Sequence, residues 1–102
     1  MCMQNLLEET RKDLARHGLT EADVVWVGTC DGAAAISWAK FTELADKTYD
    51  AGYGAVCVEL SLVVVGIDWW LERSEYDGSE GWVFKRLPQL ATEITDLKEI
   101  FD

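Results

Sequence analysis

The chain has 102 residues, of which 49% are hydrophobic, and its 19 acidic and 9 basic residues give a formal net charge of −10. This apolar content is too high for intrinsic disorder, and the length predicts a single domain, residues 1–102, with a core of its own. The surplus of carboxylates argues against direct binding of nucleic acid or of an anionic membrane, because both carry negative charge themselves.

The first third of the chain predicts a helix followed by a hairpin. Residues 4–17 place apolar side chains on one stripe and basic ones in the later turns, and Gly18 supplies a C-terminal stop. The β-branched and aromatic run 24–27 predicts a strand. Asp31-Gly32 is a strong turn signal, so we expect residues 33–36 to return as a second, weaker strand.

The middle of the chain predicts a second helix and then less regular structure. Ser37 is typical of a helix N-cap, and the apolar spacing after it predicts a helix over about 38–48. Residues 49–54 contain two glycines and no periodicity, which indicates a loop. A short strand is expected over 56–59.

The strongest strand signal covers residues 62–87. Residues 62–76 predict one continuous strand whose odd-numbered face carries Val63, Val65, Ile67, Trp69 and Leu71, and whose even-numbered face carries Val64, Gly66, Asp68, Trp70 and Glu72. Residues 77–81 predict a turn, and 82–87 a returning strand. Beyond Pro88, the spacing of four apolar residues predicts a terminal helix: Leu90, Ile94, Leu97 and Phe101.

The order of these elements predicts the fold class. It is α-β-β-α-β-β-β-α, which favours an α+β domain with a mostly antiparallel sheet and helices packed on one face. Trp69 and Trp70 are neighbours in a strand and must point to opposite faces, so one of them is exposed or covered by another element. Trp26, Trp38 and Trp69 lie on apolar faces and are expected in the core.

Acidic residues are concentrated in the predicted hairpin, where Arg73 is the only base between Lys47 and Lys85. One interpretation is a solvated face that keeps the protein soluble and discourages edge pairing. The other is an anionic plate with aromatic anchors that imitates a nucleic-acid backbone and binds a basic groove of a partner. The candidate partner-binding residues are Asp68, Trp70, Glu72, Glu75, Tyr76, Asp77 and Glu80.

Catalytic and metal-binding patterns are not found in the sequence. The three cysteines, Cys2, Cys30 and Cys57, show no CxxC spacing, His17 is the only histidine, and we expect the thiols to be free and buried. Asp68 and Glu72 share a strand face, but a chain this short rarely builds the cleft of a glycosidase. The sequence therefore predicts a protein that is no enzyme and needs no metal or cofactor.

The hairpin segment resembles a motif of small acidic proteins encoded in phages and prophages, and residues 25–29 and 38–50 resemble the same group. The motif reads Asp68-Trp69-Trp70-Leu71-Glu72-Arg73-Ser74-Glu75-Tyr76-Asp77-Gly78-Ser79-Glu80-Gly81-Trp82-Val83-Phe84-Lys85. Small acidic phage proteins include anti-CRISPR inhibitors that offer an acidic surface to a nucleic-acid-binding groove. The resemblance thus implies a non-enzymatic inhibitor of a basic nucleic-acid-binding host-defence protein, such as a CRISPR effector, in the host cytoplasm.

Two alternatives remain open. A small-ligand or carbohydrate-binding module would use exposed Trp70 and Trp82 as a stacking platform. A phage assembly subunit or homodimer would pack the apolar side of the predicted terminal helix against a second copy.

Overall fold

The computed structural model describes residues 3–52, 57–76 and 79–88. It shows an α+β fold with a mostly antiparallel sheet, which confirms the predicted class. In chain order the elements are β1 (Met3–Asn5), α1 (Leu6–Arg16), β2 (Trp26–Thr29), β3 (Ala35–Ile36), α2 (Trp38–Ala45), β4 (Thr48–Asp50), β5 (Leu62–Val65), β6 (Trp69–Tyr76) and β7 (Ser79–Arg86), with a short 3-10 turn at Glu21–Asp23.

Five antiparallel strands form the main sheet in the order β3-β2-β5-β6-β7. The register aligns one apolar residue from each strand into a row that crosses the whole sheet: Ile36, Val27, Val64, Leu71 and Phe84. Because side chains alternate along a strand, this row defines one face, called here the inner face. The opposite side of the sheet is the outer face.

Both α-helices pack on the inner face. Leu7 and Leu14 of α1 and Phe41 and Ala45 of α2 are buried against Val27, Val64, Trp69 and Leu71. Burying these side chains together removes apolar surface from water, which is the main favourable contribution to folding. The expected arrangement, with helices on one face of the sheet, is therefore confirmed.

The caps of both helices follow the sequence signals, although each helix is shorter than predicted. The side chain of Asn5 accepts a hydrogen bond from the backbone N–H of Glu8, and Gly18 follows the end of α1 with a φ of 72°. Ser37 caps α2 by accepting from the N–H of Lys40. The turn signal at Asp31-Gly32 lies within the five-residue connection, residues 30–34, that joins β2 to β3, and β3 is shorter than the predicted 33–36.

The strand predicted over residues 62–76 is in fact two strands. β5 ends at Val65, the connection consists of Gly66, Ile67 and Asp68, and β6 then returns beside β5. The reversal shifts the alternation, so Val63 and Val65 lie on the same face as Trp70 and not on that of Trp69. Gly66 permits this turn because the indole of Trp69 occupies the space where a Cβ would stand, 2.1 Å from the nearest ring atom.

A second, two-stranded sheet was not expected from the sequence. β1 pairs antiparallel with β4, where a loop was predicted, and residues 57–59 form no strand, contrary to expectation. Ser79 to Gly81, predicted to be part of a turn, belong to β7. Val56, the turn residues 77 and 78, and the terminal helix predicted beyond Pro88 lie outside the described residues, so the homodimer hypothesis stays a prediction.

Candidate functional site

The centre of the predicted acidic face is occupied by Trp70 and Glu72, which lie side by side on the outer face of β6. The indole Nε1 of Trp70 donates a hydrogen bond to Oε1 of Glu72 at 2.8 Å. Lys85, the cross-strand partner of Trp70 on β7, places its Nζ 4.0 Å from the same oxygen. The charge of Glu72 is thus partly balanced by a base on the neighbouring strand.

The other candidate residues do not form one continuous acidic surface with Trp70 and Glu72. Asp68 lies in the connection before β6 and Tyr76 at its far end, about 27 Å away along an extended strand. Tyr76 is 83% exposed. Glu75 belongs to the same face of β6 as Arg73, opposite to Trp70, and Asp77 lies outside the described residues.

Glu80 is buried and not available to a partner. Its side chain is 1% exposed and lies on the inner side, where Oε1 is 3.2 Å from Nη2 of Arg73. Its two carboxylate oxygens also accept hydrogen bonds from the backbone N–H groups of Cys57 (2.8 Å) and Val58 (3.0 Å). The prediction that Glu80 contributes charge to the surface is therefore wrong, because its charge is used inside the fold.

Arg73 is the centre of a buried polar cluster that the sequence did not predict. Its side chain is 0% exposed, Nη1 is 3.3 Å from Oε2 of Glu9, and Nη2 donates to the hydroxyl of Tyr49 at 2.9 Å. Its guanidinium lies 4.7 Å from the ring centre of Trp82. The one signal in the sequence is that Arg73 is the sole base in an acidic segment.

The phenol of Tyr49 lies between Glu9 and Arg73 in this cluster. Its hydroxyl donates to Glu9 and accepts from Arg73. Burial, with the hydrogen bond to Glu9 acting in the same direction, raises the pKa of Tyr49 to about 12. The cluster therefore joins α1, β4 and the β6–β7 hairpin.

Two tryptophans lie on faces other than those predicted. Trp82 points to the inner side, where its Nε1 donates to Oγ1 of Thr10 at 2.9 Å, so it forms no stacking platform with Trp70. Trp26, expected in the core, is half-buried on the outer face. Trp69 is buried on the inner face, which confirms that it and Trp70 point in opposite directions.

An apolar groove of about 340 Å³ lies on the outer face between the indoles of Trp26 and Trp70. The register places Trp26, Val65 and Trp70 in one row across three strands. Val63 and the turn residues after β2 complete the lining. Gly28 is required beside it, because a Cβ there would stand 2.5 Å from the ring of Trp26 and 2.2 Å from the carbonyl oxygen of Ala34.

A carboxylate lies in the turn at one end of the groove. The hydroxyl of Thr29 donates to Asp31 at 2.7 Å and the N–H of Ala33 at 2.9 Å, and these two bonds, the first more strongly, hold the pKa of Asp31 below its ordinary value. Asp31 is adjacent to Cys30 and Gly32, which line the groove. Glu72 is the cross-strand partner of Val63, which also lines the groove, so two carboxylates lie next to lining residues.

The described residues offer no grouping suited to metal chemistry: within 3–52, 57–76 and 79–88, no three His, Cys, Asp or Glu residues are placed to hold an ion. His17 stacks on Phe84 with ring centres 3.8 Å apart. Cys30 and Cys57 are exposed, which corrects the expectation of buried thiols, while Cys2 lies outside the described residues. The arrangement is suited to binding through apolar contact and charge.

In the part of the chain that the structure describes, no helix is long and apolar enough to cross a membrane. The chain matches no protein-family model, and comparisons with curated proteins and with solved structures gave no match. The resemblance to phage proteins therefore stays a prediction.

Proposed function

We propose that the protein is a non-enzymatic binding protein whose outer sheet face docks on a basic surface of a partner protein. The observation that carries the proposal is the apolar groove between Trp26 and Trp70, on the face opposite both α-helices. Large aromatic side chains at the centre of an interface contribute a disproportionate share of binding energy. The two indoles are the anchors, and Val63 and Val65 form the floor between them.

Charge complementarity specifies the kind of partner. Asp31 and Glu72 lie at the margin of the groove, and the net charge of −10 attracts basic surfaces over a longer range. A protein that handles nucleic acid carries such a surface. We therefore propose an inhibitor of a host-defence nucleic-acid-binding protein, with a CRISPR effector as the first class to test and the host cytoplasm as its place of action.

In this proposal, charge contributes less to binding affinity than it would on a continuous acidic surface. Glu72 has Lys85 nearby, and Glu80 is buried. Apolar contact at the indoles then supplies affinity, while the acids increase the rate of association and select the partner.

The test is to titrate a panel of purified CRISPR effectors with the protein and to measure affinity and inhibition of DNA binding. Replacing Trp70 by alanine should weaken binding at least about tenfold, as expected for an aromatic anchor at the centre of an interface. The matched control is Ile67→Ser, which also removes an apolar side chain but at a turn position that is 91% exposed. Binding of the control should stay within about twofold.

Two results would contradict the proposal. One is equal affinity for the Trp70→Ala and Ile67→Ser variants, which would place the interface elsewhere. The other is affinity that does not decrease as salt is raised, because complementary charges at a solvated margin are screened by ions. Circular dichroism of each variant ensures that a loss of binding is not a loss of folding.

A small ligand is the second candidate, and the size of the groove favours it. About 340 Å³ lies within the range of roughly 300–1,000 Å³ typical of ligand pockets. Trp26, not Trp82, would be the ring opposite Trp70. Titration of the intrinsic fluorescence with a panel of sugars separates the two functions: saturable quenching that Trp70→Ala abolishes supports a ligand site, whereas no response leaves the protein-docking function.

A further inference from the structure

Among the residues that the structure describes, β7 is an edge strand with one side unpaired along much of its length. Among the described strands it pairs only with β6. The backbone N–H of Leu87 donates to the carbonyl of Asp68 at 2.7 Å. Because hydrogen-bonded and non-hydrogen-bonded pairs alternate in an antiparallel ladder, this bond determines the direction of every backbone group in β7.

The alternation leaves three residues facing away from β6. Gly81, Val83 and Lys85 bond to β6, so the backbone N–H and C=O groups of Trp82, Phe84 and Arg86 point to the open edge. At the N-terminal end of β7 this edge already has a hydrogen-bond partner, because the N–H of Glu80 donates to the carbonyl of Ala51 at 2.9 Å. The open part therefore starts at Trp82.

A groove accompanies this open edge on the inner side. A cavity of about 290 Å³ lies between α1 and β7, lined by residues that include Lys12, Asp13, Arg16 and Trp82. An exposed sheet edge can bind an extended peptide as an added strand, in which backbone hydrogen bonds supply affinity and a groove for alternate side chains supplies specificity.

The groove carries charges of both signs, but its two acids, Glu9 and Asp13, are already paired, Glu9 with the buried Arg73 at 3.3 Å and Asp13 with Arg16. Lys12 and Arg16 are exposed on α1, and the guanidinium of Arg86 lies 5.4 Å from the ring centre of Phe84. Asp13 balances Arg16 at 2.8 Å, and burial, opposed by Arg16, raises the pKa of Asp13. Lys12 and Arg86 have no ion pair within the described residues.

We propose that β7 binds an extended acidic segment of a partner protein as a sixth strand. The segment bonds through its backbone to Trp82, Phe84 and Arg86, and its inward-facing carboxylates meet Lys12, Arg16 and Arg86. This site is separate from the outer face, and its charge preference is the opposite one.

The experiment uses the full chain and a blocked synthetic peptide as long as β7, 8 residues, in which glutamate and valine alternate. Binding is followed by amide-resolved NMR and hydrogen exchange. Protection should increase at the amides of Trp82, Phe84 and Arg86, while the amides of Gly81 and Val83, which already bond to β6, stay unchanged. The lysine–valine peptide and a backbone N-methylated glutamate peptide are the negative controls.

Charge reversal tests the preference for acids. The double variant Lys12→Glu/Arg86→Glu should bind the glutamate peptide at least about tenfold more weakly and gain affinity for the lysine peptide. Two charge reversals at Lys40 and Lys47, which do not line the groove, give the same change in net charge and should alter affinity less than about twofold. Dichroism spectra of both variants should match that of the unmodified protein.

Three results would overturn the proposal. The first is no peptide binding. The second is protection without the alternation of residues along β7. The third is edge amides that are already protected without peptide and do not respond to it, because the edge would then be occupied by the chain itself.

Discussion

At the scale of single residues, Arg73 has the most demanding environment in the described structure. Two carboxylates, Glu9 and Glu80, lie within 3.3 Å of its guanidinium, and the side chain has no contact with water. An ion pair taken out of water gains little net stability, but removing one partner leaves the other charge buried and uncompensated. Replacing Arg73 should therefore lower the stability of the fold substantially.

Arg73→Met should lower the free energy of unfolding by about 3–5 kcal/mol, because Glu9 and Glu80 lose their common counter-charge. Adding Glu9→Gln and Glu80→Gln to that variant should recover part of the loss. Urea denaturation measures both effects. The control is Arg86→Met, which replaces an exposed arginine on the next strand. If Arg73→Met lowers the free energy of unfolding no more than this control does, the explanation is contradicted.

Tyr49 should make stability depend on pH in the alkaline range. An unfolded phenol titrates near pH 10, whereas the folded pKa of Tyr49 is about 12. Between these values the folded state binds more protons than the unfolded state, so stability falls as the pH rises from about 10 through about 12. Below pH 10 the phenol is protonated in both states and contributes no slope.

The measurement compares urea denaturation of the unmodified protein and of Tyr49→Phe across that range. The difference between them should be constant below pH 10 and shrink above it. Absorbance of tyrosinate provides a direct check, because one late-titrating phenol should disappear in Tyr49→Phe. A Tyr49 that titrates near pH 10 would show that the phenol is not buried between Glu9 and Arg73.

At the scale of elements, local sequence signals predict the structure where they act on neighbouring residues. Asn5, Ser37 and the Asp31-Gly32 turn determine where helices and the first hairpin begin or reverse. The pairing of β1 with β4 could not be predicted in this way, because it joins segments about 45 residues apart. The alternation in residues 62–76 did not indicate the reversal at residues 66–68. Because valines occupy both faces of β5, the apolar pattern is compatible with one continuous strand as well as with two.

Strand β2 depends on a residue without a side chain. Gly28→Ala would place a methyl group 2.2 Å from the carbonyl oxygen of Ala34 and 2.5 Å from the ring of Trp26. Such crowding should cost about 1–3 kcal/mol of stability and shift the fluorescence of the displaced indole. Gly81→Ala is the matched control, because its nearest new contact is at 3.6 Å and its φ is not positive.

Urea denaturation and emission spectra of both alanine variants test this expectation. Gly81→Ala should be neutral or slightly stabilising, by about 0.4–1 kcal/mol, because it restricts the unfolded chain. Equal stability of the two variants would show that Trp26 does not rest against Gly28.

At the scale of the whole molecule, sequence and structure agree on class and differ on the site. The fold class follows from two helices and several strands joined by hairpins, and it holds although β1 and β4 were not predicted and residues 62–76 form two strands instead of one. The candidate site depends on which side of the sheet each carboxylate faces, and that is set by tertiary contacts: Glu80 is drawn inward by Arg73, and Glu72 approaches Lys85. Of the seven candidate residues, Trp70 and Glu72 are brought together.

The two proposed surfaces divide the molecule by chemistry. The outer face presents indoles with carboxylates nearby, whereas beside β7 Lys12 and Arg86 are bases that no described carboxylate pairs with. Proteins with a large charge of one sign attract many oppositely charged molecules without selectivity. An exposed region of the other sign allows a second, distinct kind of partner to approach.

The pairing of Met3 with Asp50 has a consequence for the order in which the molecule assembles. Strands β5, β6 and β7 form a meander whose contacts join close neighbours, so little chain entropy is lost in making them. Joining β1 to β4 instead closes a long loop that contains both helices, and this costs more entropy before any contact compensates it. We therefore expect the meander of β5, β6 and β7 to form before β1 pairs with β4.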